Sequence, residues 1–216
     1  MRRYRQAIVM PEWAGRPVTK EVEGWELITD YEPPVTDWSI GVVDLSHRPK
    51  ALAHGPAAEG FDNITPGQAI WTGSGFACGH KPGEVAVFDL GGDMQVHWPS
   101  QYYTDMTDAW VLVAVMGNRA VELMQRMVII DVERPETDSP FYVATRSHGM
   151  DIQLINTKAE SPCYLVACER SHGQNLADTL IRNGRHLGLK PVGLNAFDTW
   201  LKEFRVQAEV KRSKPT

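Results

Sequence analysis

The chain has 216 residues, 43% of them hydrophobic and 23% charged, with a formal net charge of −5. That length suits one large domain or two closely packed halves, and the composition is that of an ordinary folded chain. Mild acidity without clustered Lys or Arg points away from nucleic acid, and three cysteines, an odd and sparse set, point away from a disulfide framework.

Residues 1–40, rich in Pro, Trp and acidic groups, read as an irregular N-terminal arm with short strands. Ile40 to Leu45 is a short apolar run that suits a buried strand, and Arg48 to Leu52 suits a second. Gly55-Pro56 opens a helix carrying Ala57, Ala58 and Phe61. Ala69 to Trp71 and Glu84 to Leu90 read as strands on either side of a glycine-rich loop through Gly73, Gly75, Gly79 and Gly83. Trp110 to Met116 is a strongly buried strand. Asn118 stands where a helix N-cap belongs, and Ala120, Val121, Leu123, Met124 and Met127 recur at helical spacing.

Residues 131–140 are polar with two prolines and read as an exposed loop. Tyr142 to Thr145, Ile152 to Asn156 and Cys163 to Cys168 read as strands. Ser171 caps a helix from Gln174 to Asn183, ended by Gly184. Leu187 to Leu194 reads as a turn, and Asn195 caps a last helix, Ala196 to about Val206. Strands and helices mix without a βαβ repeat, so the expected class is α+β with antiparallel sheets. The expected organisation is an arm over 1–40, a domain over 41–206 and a polar tail over 207–216. No apolar run reaches the roughly 20 residues of a membrane helix, and the expected location is the cytoplasm.

Three segments, in order, resemble the folate-binding domain of the glycine-cleavage T-protein (aminomethyltransferase) and sarcosine oxidase gamma families. Val43 to Phe61 carries Asp44, Ser46, His47, Gly55, Pro56, Ala58 and Phe61 in the family spacing. Thr65 to Thr72 is similar to the family's Pro-Gly-Gln-x-x-Tyr-Thr stretch. Leu189 to Glu203 is similar to its Leu-Lys-Pro-x-Gly-Leu stretch and following helix. A weaker match, Asp108 to Leu123, carries an Asn-Arg helix start at Asn118-Arg119. The resemblance implies two interlocked ferredoxin-like halves around a central folate-type channel, with tetrahydrofolate as the possible cofactor. The chain is domain-sized, like sarcosine oxidase gamma.

The chain departs from the family where the chemistry lies. An ungapped count from Trp71-Thr72 puts Gly83 and Glu84 on the family's Asp-Asp pair; counting back from Trp110 puts Trp98 and Pro99 there instead. The family's Thr-Gly-Glu-Asp-Gly signature is missing, and Phe197 and Leu201 replace arginines that would suit the carboxylates of a folate tail. Asp198 is retained. The resemblance thus assigns Glu84 as the catalytic acid or base, and His47, Glu84, Asn118, Arg119 and Asp198 as cofactor-binding residues. Three of them have a plainer role open to them: Glu84 as an exposed strand carboxylate, His47 as a structural histidine, Asp198 as a first-turn acid of its helix.

Cys78-Gly79-His80 with Cys163 and Cys168 matches no zinc spacing, so no metal is expected. Five residues apart on one strand, Cys163 and Cys168 face opposite sides. Gly73 to Gly83 lacks a phosphate-loop ending, and Ser171-His172 matches no nucleophile elbow. The aromatic stretch Gln95 to Tyr103 is either a partner-binding loop or local packing. The seven tryptophans are core anchors, or in part rings for stacking a pterin or flavin. Three functions follow as expectations. The first is a subunit of a hetero-oligomeric amine-demethylating oxidoreductase, of the sarcosine oxidase or dimethylamine monooxygenase type. The second is a free-standing tetrahydrofolate-dependent transferase using Glu84, and the third a non-catalytic module of the same fold.

Overall fold

A computed structural model describes residues 5–6, 15–61, 64–91 and 101–213. Three short strands come first: β1 (Arg5–Gln6), β2 (Arg16–Val22) and β3 (Trp25–Glu32), forming one small sheet in the order β1-β3-β2. The chain then enters β4 (Ile40–Asp44), crosses directly to β5 (Lys50–His54), and makes a single helical turn, α1 (Pro56–Glu59). A meander follows: β6 (Ala69–Trp71), β7 (Gly75–Lys81) and β8 (Glu84–Asp89), then β9 (Tyr103–Asp105). With β5 these make a sheet ordered β6-β7-β8-β5-β9.

The second half comprises β10 (Trp110–Met116), α2 (Ala120–Met127), β11 (Phe141–Ser147), β12 (Met150–Asn156), β13 (Cys163–Glu169), α3 (Gly173–Gly184), β14 (Leu189–Pro191) and α4 (Leu194–Ser213). Its strands join β4 in a sheet ordered β11-β12-β13-β10-β4-β14, antiparallel except where β14 runs parallel to β4. The expected α+β class with antiparallel sheets is what the chain adopts.

Strand alternation sorts the side chains into layers. On β10, Trp110, Leu112, Ala114 and Met116 face one interior, while Val111, Val113 and Val115 face the other. The outer layer is closed by α2 and α3 through Leu123, Met124, Leu176 and Leu180. The inner layer lies between the two large sheets. There α4 inserts Phe197, Trp200, Leu201 and Phe204 among Trp71, Phe76, Phe88 and Trp110. As expected, Cys163 belongs to the inner layer and Cys168 to the outer one.

Several local expectations are corrected. The glycine-rich stretch is not one long loop: Gly75–Lys81 is a paired strand. Its glycines are there because backbone crowds them. A Cβ on Gly75 would lie 1.9 Å from the Phe88 carbonyl oxygen, and one on Gly79 would lie 2.0 Å from that of Thr65. Leu189–Pro191 is a strand rather than a turn, held by β4, and α4 runs on to Ser213. Asn118 does not cap α2; Arg119 holds the cap position, without a side-chain cap bond. Ser171 lies in a 3-10 turn, Arg170–His172, ahead of α3, and His172 is the cap position. The chain leaves α3 through a second 3-10 turn, which ends at Gly188 with φ of 82°. Residues 95–100 of the aromatic stretch, including Trp98 and Pro99, lie outside the described residues.

Candidate functional site

One recess, about 470 Å³, opens where β6 and α4 approach the loops that flank β11 and β12. Its apolar wall is built from Ala69, Ile70, Trp71, Phe204 and Ala208. Trp71 meets Phe204 edge-on with ring centroids 5.0 Å apart, and Trp200 stacks behind Phe204 at 5.1 Å. Such aromatic clusters give a rigid floor with a polarisable face.

Polar groups rim this floor. Gln68 and Gln207 use their carbonyl oxygens on the backbone N–H groups of Thr65 and Glu160, at 3.0 and 3.2 Å. Their NH₂ groups carry no bond among the described residues. Lys158 and Lys211 bring two ammonium groups to the same rim. Lys158 donates to the backbone carbonyls of Glu133 and Arg134, which anchors it, and Lys211 reaches the Lys158 carbonyl at 3.5 Å. The recess thus offers a flat apolar surface, amide donors, two lysines and one carboxylate, Asp138, which suits a planar heterocycle with polar substituents.

The densest cluster of charged motif residues lies elsewhere, in the connection between β4 and β5. Asp44 Oδ1 accepts from the Ser46 N–H at 2.8 Å, and Ser46 Oγ accepts from the Leu112 N–H at 3.2 Å. Lys50 is fully buried; its Nζ donates to the carbonyls of Ser46 at 2.8 Å and Arg48 at 2.7 Å. Burial, reinforced by Arg170, pushes its pKa down to about 7. His47 is 4% exposed, and burial together with Arg48 and Lys50 lowers its pKa to about 3, so the ring is neutral. Arg48 spans from this loop to α4, donating to Asp198 at 2.8 Å. The loop therefore spends most of its polar groups on itself and on α4, while Arg48 Nε is buried with no hydrogen-bond partner among the described residues.

The residues singled out from sequence do not converge. His47 and Asp198 meet through Arg48, outside the recess lining. Glu84 begins β8 on the inward-facing register of Ala86 and Phe88, but at the strand's outer end, where it pairs with Lys81 at 3.5 Å. Asn118 is exposed, and Arg119 pairs with Glu122 at 2.7 Å and reaches the Leu187 carbonyl at 3.3 Å, on the α2 side of the sheet. Ala86 and Phe88, the fully buried inward positions of β8, carry no acid. Sequence reasoning missed Lys158, Lys211 and Gln207; Gln68 stood in the family's Pro-Gly-Gln stretch without an assigned role. Trp71 was signalled, as a tryptophan at the family's tyrosine position. No group of three or more His, Cys, Asp or Glu residues able to hold a metal occurs among the described residues.

No protein-family model matches the sequence. Among curated proteins, the chain is 22% identical over 219 residues to an aminomethyltransferase of Oceanobacillus iheyensis, covering 84% of this chain and 59% of that protein. It is also 22% identical over 211 residues to an aminomethyltransferase of Desulforamulus reducens, covering 83% and 58%. The chain thus spans little more than half the length of these relatives. Among solved structures, it resembles a chain of heterotetrameric sarcosine oxidase from Corynebacterium sp. U-96, solved with pyrrole 2-carboxylate. The TM-score is 0.56 at 12% identity, covering 71% of this chain and 88% of that one. Sequence relatives and architecture agree: the chain has the fold shared by the aminomethyltransferase T-proteins and the sarcosine oxidase chains.

Proposed function

We propose that this chain is a subunit of an amine-demethylating oxidoreductase assembly, and that the recess between β6 and α4 docks a folate-type one-carbon carrier. The observation that carries this reading is the meeting of two remote segments. Thr65–Thr72 supplies the Gln68–Trp71 wall, and the helix that Leu189–Glu203 begins supplies Phe204, Gln207, Ala208 and Lys211. The first segment bears the resemblance, and the second continues the helix on which the resembling stretch Leu189–Glu203 ends. The sharing of fold with 88% of a chain from a heterotetrameric oxidase supports the assembly half of the proposal. A cytoplasmic location belongs to the same reading.

The recess fits tetrahydrofolate by chemistry. Trp71 and Phe204 present rings to a pterin, Gln68 and Gln207 present amide donors to its edge, and Lys158 and Lys211 present cations to the glutamate tail. These lysines serve where Phe197 and Leu201, now buried core, cannot. When bound, tetrahydrofolate supplies an acceptor for a one-carbon unit; the chain's own residues orient it and shield it from water. A free-standing transferase with Glu84 as its catalytic group has less support, because Glu84 stands apart from the recess and leans on Lys81.

The assembly half is tested by purifying the tagged full chain from its native cells. The expected result is a stoichiometric complex with flavin or haem absorbance that releases formaldehyde from a methylated amine. A monodisperse monomer that captures no redox subunit contradicts it.

A further inference from the structure

At the other end of β11 and β12, a second recess of about 360 Å³ opens between the large sheets. His80 enters it from β7. From the facing sheet come Trp110, Gln153 and Glu169, with the Arg146–Asp151 pair at the rim. Strand register explains the grouping: Trp110 stands opposite Glu169, Gln153 opposite Ala167 and Ala144, and Arg146 opposite Asp151, all on one face.

A hydrogen-bonded chain fixes the histidine. Tyr142, 1% exposed, donates its hydroxyl proton to Gln153 Oε1 at 3.0 Å. The same hydroxyl oxygen lies 2.6 Å from His80 Nδ1. A hydroxyl has one proton to give, so the short contact places a proton on Nδ1 and leaves Nε2 as an acceptor. Burial, and then Lys81, lowers the His80 pKa against the opposing pull of Glu84.

The charges around it leave one carboxylate over. Asp151 is matched by Arg146 at 2.9 Å and Glu84 by Lys81 at 3.5 Å. Glu169, exposed at the end of β13, has no ion pair or hydrogen bond from its side chain among the described residues, and it is the register partner of Trp110, whose ring is stacked on Phe88. A carboxylate, an aromatic ring and an imidazole nitrogen together satisfy the charge, the apolar substituents and the N–H of one kind of ligand.

We infer that this recess binds a small protonated alkylamine, with its charge between Glu169 and Trp110 and its N–H within the reach of His80. The inference rests on the proposed function for the fate of the amine, and on the recess alone for its binding. The test titrates dimethylammonium chloride into the isolated full chain at constant ionic strength, followed by calorimetry and by the ring-nitrogen NMR signals of His80. Saturable binding is expected, weakened about ten-fold or more in Glu169→Gln or His80→Gln and kept in Trp71→Leu. Absence of saturation, or binding that both Glu169→Gln and His80→Gln leave intact, overturns the inference. Capture of a redox partner is read separately, so loss of amine binding with the partner retained sinks this site and not the assembly.

Discussion

The connection from β4 to β5 holds Asp44, Ser46, His47, Arg48 and Lys50 within seven residues, whereas the recess beside α4 gathers its lining from four separated stretches between 68 and 211. The first is dense in motif and turned largely on itself: most of its polar groups bond within the loop, to Leu112 or to Asp198, while Arg48 Nε is buried with no hydrogen-bond partner among the described residues. The second joins one motif stretch, Thr65–Thr72, to residues without motif, and its rings and amide groups line a recess whose two lysines are anchored on backbone carbonyls. A local run of polar residues is most easily satisfied by its own backbone, so it marks a structural joint as readily as a site. Ligand chemistry assembled by tertiary packing leaves little trace in any one stretch.

That contrast can be broken at the joint first. Lys50→Ala removes the ammonium from two buried carbonyls and leaves a void, and should cost about 3–5 kcal/mol in urea unfolding. A loss below about 1 kcal/mol would show that the loop does not depend on it.

Acid provides a second, smaller lever. The His47 pKa is depressed in the fold from 6.5 to about 3, so the unfolded chain binds the extra proton first. Its stability contribution is complete above pH 6.5 and is lost as pH falls toward 3. The slope is about 1.4 kcal/mol per pH unit, or about 2–3 kcal/mol by pH 4.5. Lys50, depressed from 10.5 to about 7, acts in the alkaline window instead, where stability rises with pH, and it is silent in acid. Thermal melts from pH 7 to 4.5 should therefore show the loss in the native chain and a shallower slope in His47→Gln. Parallel slopes would remove His47 from the joint.

The smallest effect is expected at Glu84. Its partner Lys81 has a side chain 63% exposed, and screened pairs of this kind contribute little. Glu84→Gln should shift stability by less than about 0.5 kcal/mol and leave folate binding unchanged. Loss of binding would move the site from the recess to the start of β8.

Much of the architecture was legible because it is written locally. The run Trp110–Met116 could only be a strand buried on both faces, and Ala120–Met127 repeats at helical spacing. Gly75–Lys81 was not legible, because its glycines answer to the Phe88 and Thr65 backbones rather than to a turn. Leu189–Pro191 became a strand only because β4 lies beside it, and Gln207 to Ser213 extend the last helix beyond the Val206 at which its pattern stopped. At the site, Trp71 was marked by its place in the family pattern, while Lys158 and Lys211 came from a loop and a helix tail without any motif.

The account's central claim is that ligand chemistry belongs to the recess and not to the motif loop. Calorimetric titration of the full chain with tetrahydrofolate under anaerobic conditions tests it most directly, with Trp71→Leu and Glu84→Gln run in parallel. The account predicts one saturable site in the native chain and in Glu84→Gln, weakened about ten-fold or more in Trp71→Leu. No saturable heat in the native chain, or affinity that survives Trp71→Leu and disappears in Glu84→Gln, would contradict it.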